Sequence, residues 1–194
     1  MAIMLSPETV QTAGSIAYVG VILGTTALLG AIAHTSSLPR GMRWLFFWLT
    51  FDALIHIFLE GPFVYLSVAG RTEYSHADTR WATADPGIVA VELLTAVLTG
   101  PLAAYTAYLV QRADKRYHVW LMALCIAELY GDYMTFVPEW LVGSPSLDVE
   151  NALHMWFYLA FSNGVWVVIP LYLLCTSGAV VLHSCAALRE DKRA

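Results

Sequence analysis

The chain reads as an all-α integral membrane protein, a bundle of five transmembrane helices around a membrane-embedded polar cavity, and three observations predict it. Of its 194 residues 58% are hydrophobic and only 13% charged, with a mean hydropathy of +0.62, outside the range of soluble domains. Five apolar segments reach the roughly 17 to 25 residues that a helix needs to cross a bilayer. These segments nevertheless carry acids, which are tolerated at membrane depth only where they face a protein interior.

The first apolar run, Gly14 to His34, lacks the charged start and cleavage site of a signal peptide, so a retained span is expected at 14–34. Further spans are expected at 44–66, 88–110, 118–141 and 152–183, the last long enough to tilt, with Pro170 as a place for a kink. Residues 68–86 (VAGRTEYSHADTRWATADP) are polar and are expected to fold back as a cap. Positive loops stay cytosolic. Eight of the ten basic residues lie on one side of a five-span path: Arg40, Arg43, Arg112, Lys115, Arg116, Arg189, Lys192 and Arg193. Arg71 and Arg80 lie on the other, so the amino terminus is expected to be luminal and the carboxyl terminus cytosolic. Trp44, Phe46, Phe47 and Trp48 are expected to form an interfacial belt.

Several function classes drop out. With a net charge of −5 and no basic stripe, nothing points to nucleic acid. Cys125, Cys175 and Cys185 sit in apolar runs, with neither a metal-ligand spacing nor a disulfide framework, and read as packing residues.

The functional signal is concentrated in WLTFDALIHIFLEGP, residues 48–62, where Asp52, His56 and Glu60 recur at i, i+4 and i+8. On a helix they share one stripe that drifts about 40° per step. Placed by a rise of about 1.5 Å per residue, Glu60, Glu92, Asp132 and Asn163 fall roughly 6 to 16 Å below the luminal boundary, so four helices bring polar groups to one layer. Glu128, Asp132, Thr135 and Glu139 form a second stripe. A carboxylate at mid-membrane costs about 2.5 to 3.5 kcal/mol, so the six acids of spans 2 to 4 need a shared polar environment. There a carboxylic acid can hold a proton and deliver it, a neighbouring imidazole or acid can take one up, and the ring of Trp166 can stabilise a transient cation. That is the equipment of a proton-driven double-bond shift, for which no metal and no other cofactor is expected.

Five ordered motifs carry a resemblance: IHIFLEGPF (55–63), EYSHADTRW followed by Asp85 (73–85), ELLTAVLTGPL (92–102), YGDYMTF with Glu139 (130–139) and WFYLAFSNGVWVVIP (156–170). Over residues 41–184 the chain resembles the emopamil-binding protein family. Residues 1–40 would then be an amino-terminal segment with the first span, and 185–194 a cytosolic basic tail. The resemblance implies a five-helix fold of the endoplasmic reticulum and, in the best-known members, 3β-hydroxysteroid Δ8-Δ7 isomerase activity, with a proton added at C9 and another lost from C7. It implies that His56 and Glu60 are an acid/base pair, that Glu92 is their partner, and that Trp166 and Asn163 hold the carbocation. Thr95 would bond within the cavity, and Tyr74 and Trp81 would line its mouth. Asp52 and Glu128 stand where animal sterol isomerases carry a small residue and a glutamine; with Asp132 they are expected to contact substrate. These extra acids leave a second substrate class open, another terpenoid or meroterpenoid isomerised or cyclised through a protonated intermediate. They also leave open a non-catalytic membrane protein that binds sterols or cationic amphiphiles, and a homodimer is compatible with either reading.

Overall fold

The computed structural model describes residues 20–61, apart from 22, 32–33 and 35–37, and residues 73–191. Among these the chain is all helix, and the one β-type contact is an isolated bridge between Asp78 and Leu147. Four long helices form the bundle: α1 (Arg40–Glu60), α4 (Pro86–Gln111), α5 (Tyr117–Leu141) and α6 (His154–Glu190). Two short helices, α2 (Glu73–Ala77) and α3 (Thr79–Thr83), lie between α1 and α4.

By length and composition α1, α4 and α6 can cross a membrane. The 25 residues of α5 are long enough, about 37 Å, but Glu128, Asp132 and Glu139 make it less apolar. The expected first span lies partly outside the described residues; within it residues 23–31 are helical, and Gly30 packs so close to Phe47 that a Cβ there would meet the ring at 2.7 Å.

Helix starts follow from local chemistry. Asp85 caps α4, its Oδ1 accepting from the N–H groups of Gly87 (2.8 Å) and Ile88 (3.3 Å), with Pro86 at the first position, where its missing donor costs nothing. Asp78 caps α3 in the same way, accepting from Arg80 N at 3.1 Å. After α5 the chain turns through Gly143 at φ +89°, a left-handed conformation that glycine adopts without strain.

The bundle has two tiers. α1 packs on α4, α4 on α5 and α5 on α6. The tier nearest the Arg112–Arg116 turn is an apolar core of Leu45, Trp48, Leu49, Ala103, Leu121 and Leu124, with their neighbours. The tier nearest α2 and α3 carries the acids. Trp44 and Phe47 are exposed, as a belt requires, but Trp48 is buried in the core, which corrects its assignment to the belt. Its indole packs at a tilt against Trp166 at 5.5 Å, and removing that surface from lipid leaves it no interfacial role. Cys125 is a packing residue, whereas Cys175 and Cys185 lie on the exposed face of α6.

The polar stretch after residue 72 does fold over one end of the bundle. Thr79 N donates to Ser146 O at 3.0 Å and Asp148 N to Ala77 O at 2.9 Å, which ties α2 and α3 to the α5–α6 loop. Glu139 completes the joint by accepting from Ser146 N at 2.6 Å and standing 3.7 Å from Arg80 Nη1. Arg80 also forks onto Asp78 at 3.0 and 2.7 Å. Burial pulls the Arg80 guanidinium down, but the Asp78 carboxylate beside it outweighs that and holds it above its ordinary value.

Candidate active site

Three of the long helices loosen into π turns where the polar tier begins: Ile55–Glu60 in α1, Thr95–Thr99 in α4 and His154–Phe161 in α6. A π turn adds one residue to the hydrogen-bonded ring and re-aims the side chains along it, and such turns concentrate at functional sites. In α1 the turn brings His56 between two acids of its own helix. Its Nδ1 lies 2.5 Å from Glu60 Oε2, and its Nε2 lies 3.1 Å from Asp52 Oδ1, off hydrogen-bond geometry.

Each neighbouring helix adds to this line. From α4, Thr95 Oγ1 donates to Glu60 Oε2 at 2.7 Å and also reaches Glu92 O at 3.0 Å, and the buried Glu92 carboxyl faces Glu60. From α6, the Trp166 indole N–H donates to Asp52 Oδ1 at 2.8 Å, and its ring meets that of His56 edge-on at 6.4 Å. From α5, Glu128 approaches Asp52 and His56, and Asp132 is near enough to sense the charges of Glu60 and His56. Eight of the residues singled out in the sequence thus form one cluster: Asp52, His56, Glu60, Glu92, Thr95, Glu128, Asp132 and Trp166. The cluster holds five carboxyl groups and one imidazole. Asp52, His56 and Glu128, all buried, have ligand atoms within 4.8 Å of one another, close enough for all three to face one small cation, a proton or a metal ion alike.

The other three residues form a second group above the first. Asn163 Nδ2 donates to Tyr74 Oη at 3.0 Å and to the carbonyls of Tyr158 and Leu159 at 2.9 Å. Trp81 stands edge-on to Tyr74 at 5.0 Å. Burial pushes the Tyr74 phenol far above its usual range, and Glu92 is among the charges it senses, so the two groups adjoin.

Sequence reasoning missed Trp48, Phe51 and Tyr158. Trp48 and Phe51 box the Trp166 ring at 5.5 and 6.0 Å, and Tyr158 faces Tyr74 at 6.2 Å. For Trp48 a signal existed, since it stands four residues before Asp52 on the same stripe. Two recesses of about 350 and 330 Å³ open on apolar faces instead, one between α1 and α4 beside Ala53 and Ile57, the other on α6 beside Gly164 and Val168. Neither is lined by the acids.

Comparison with known proteins adds to this geometry. A family model described as EXPERA (EXPanded EBP superfamily) matches residues 66–177. The chain is 32% identical to a probable 3-beta-hydroxysteroid-Delta(8),Delta(7)-isomerase of Oryza sativa subsp. japonica, over 77% of this chain and 71% of that one. It is 30% identical to the 3-beta-hydroxysteroid-Delta(8),Delta(7)-isomerase of Mus musculus, over 80% and 72%. With protoglabretal synthase MOI1 of Citrus sinensis it shares 24% identity over 100% of this chain and 94% of that protein.

Proposed function

Because the chain belongs to the EXPERA family, we propose that the clustered acids carry out, by protonation, carbocation formation and deprotonation, the reaction of a membrane isomerase acting on a sterol or terpenoid. The observation that carries this reading is the line of contacts Trp166–Asp52–His56–Glu60–Thr95, built from three helices and hydrogen-bonded at every step but the 3.1 Å approach of His56 Nε2 to Asp52. Structural acids would be satisfied by cations; these face an imidazole, a hydroxyl, an indole and one another.

The roles follow from position. Glu60, held between His56 Nδ1 and Thr95 Oγ1, gives its proton to one carbon of the substrate's double bond: its O–H bond breaks, a C–H bond forms and the neighbouring carbon becomes cationic. The π face of Trp166 and the carbonyl of Asn163 stabilise that charge. Glu92 then takes a proton from the next carbon, and the C–H electrons form the displaced double bond. The reaction is redox-neutral and begins and ends with the same number of protons, so no added cofactor is required. Asp132 borders the substrate beside Glu60, while Tyr74 and Trp81 close the mouth. Five spans around a polar cavity in the endoplasmic reticulum membrane, with a luminal amino terminus and cytosolic carboxyl terminus, would present this site to a substrate dissolved in the bilayer, in one copy or in a homodimer.

The test is incubation of membranes containing the protein with a panel of sterols and terpenoids in deuterated water. An isomer carrying one deuterium at the protonated carbon is expected by mass spectrometry and NMR, and Glu60→Gln should abolish it while retaining ligand. Unlabelled product overturns the mechanism. Bound but unchanged ligand in every case would instead mark a protein that holds sterols or cationic amphiphiles without turnover.

A further inference from the structure

Two acids have no part in the reaction as written. Asp52 is fully buried on α1 and Glu128 is 4% exposed on α5. One oxygen of each lies within 4.8 Å of the other and of a His56 ring nitrogen. Asp52 Oδ1 accepts from the Trp166 indole, but Asp52 Oδ2 and both oxygens of Glu128 receive no hydrogen bond from the described residues. Arg80, the arginine of the cap above this tier, is engaged by Asp78 and Glu139. Among the described residues His56 is the one cationic group within reach and Glu60 claims it too, so it cannot offset two ionised carboxylates facing each other in a dry interior, whereas one proton between them neutralises one acid and gives the other a donor.

The geometry points to Asp52 and Glu128 as an acid pair that shares one proton and serves as the reserve of the His56 relay, without touching substrate. This rests on the proton-transfer reading above. When Glu60 has protonated the substrate, His56 re-protonates it from Nδ1, breaking that N–H bond and restoring the Glu60 O–H, while Nε2 takes the shared proton from the pair. A small rotation of the imidazole brings Nε2, now 3.1 Å from Asp52 Oδ1, into line for that transfer. Glu92 passes the proton it removed to solvent, and a proton from solvent refills the pair between turnovers, so every turnover closes with the reserve full and the added proton carries the solvent's label. Asp52 also fixes the two groups beside it, the imidazole and the Trp166 ring.

The experiment uses the full chain in lipid vesicles and reads two signals. Infrared spectroscopy without substrate is expected to show carbonyl stretches of protonated carboxylic acids, shifted in deuterated water, with the pair's component kept in Glu60→Gln and lost in Glu128→Gln. In steady state the same variant should lose kcat about tenfold or more with KM within about twofold, and Glu128→Asp should recover part of both signals. An unchanged infrared band in Glu128→Gln overturns the proposal, as does a rise in KM at constant kcat, which would put Glu128 on the substrate. One equivalent of a divalent ion in the purified protein would also overturn it, because the ion would neutralise the pair in place of the proton. Should Glu128→Gln fail to fold, Asp52→Asn, whose amide oxygen still accepts from Trp166, tests the same band. The infrared arm needs no turnover, so it stands even if no substrate is isomerised.

Discussion

Thr95 illustrates how much one hydroxyl can decide. Its Oγ1 donates to Glu60 Oε2 at 2.7 Å, a bond that favours the charged form of the acid we propose gives up and regains a proton. Thr95→Val keeps the shape and removes the donor, and a lost hydrogen bond to a charged group costs about 1.5 to 3 kcal/mol. The expected result is a fall in kcat of about tenfold to a hundredfold with KM little changed, read by steady-state kinetics in proteoliposomes. Trp166→Phe separates two functions of one ring: it retains an aromatic face for the cation but removes the N–H that reaches Asp52 at 2.8 Å. A loss of kcat in that variant with normal ligand retention would assign the indole nitrogen a part beyond packing, whereas unchanged kinetics would leave it none.

At the level of elements, the site depends on how closely α4 approaches α1. A Cβ placed on Gly100 would stand 2.6 Å from Ile57 Cγ1 and 3.1 Å from His56 Cβ, so no larger residue fits without moving Ile57 and pressing on the base of the His56 side chain. Gly100→Ala is expected to cost about 1 to 3 kcal/mol through overpacking and to lower kcat by shifting His56 off its two acids; thermal unfolding and turnover measured on one preparation check both. The cap depends on Glu139, which joins Ser146 and Arg80. Glu139→Ala should speed amide exchange across 73–85 and 143–148 and raise KM, while leaving exchange in the α1–α4 core unchanged. Part of this was legible in the chain. The stripe Asp52–His56–Glu60 follows from helical periodicity, and the common depth of Glu92 and Asp132 follows from counting residues along their spans. The partner of Asp52 was not legible, because Trp166 stands 114 residues away and periodicity does not say which helices adjoin. Nor were the π turns, which have no signature in residue type and yet aim His56 and Thr95. Trp48 was misassigned to the belt because its neighbours Trp44 and Phe47 face outward.

Across the whole molecule the two tiers give the bundle a direction. The apolar tier ends at the turn bearing Arg112, Lys115 and Arg116, with Arg40 and Arg43 at the start of α1 and Arg189 at the end of α6 belonging to the same end of an antiparallel path. The acidic tier ends beneath α2 and α3, where Arg80 is already committed to Asp78 and Glu139. By the positive-inside rule, basic residues so distributed lead us to expect the Lys115 turn in the cytosol and the Gly143–Ser144 turn in the lumen. In the orientation so expected, the proposed substrate would enter from the bilayer and meet Glu60 and Glu92 on the luminal side of the core. The arrangement can be tested in a variant whose three cysteines are replaced, carrying either Lys115→Cys or Ser144→Cys. In sealed microsomes a membrane-impermeant maleimide is expected to label the first at once and the second only after the vesicles are opened. If both label from outside, the Lys115 and Ser144 turns lie on one face, α5 does not cross the membrane, and its acids reach His56 by some route other than a transmembrane span.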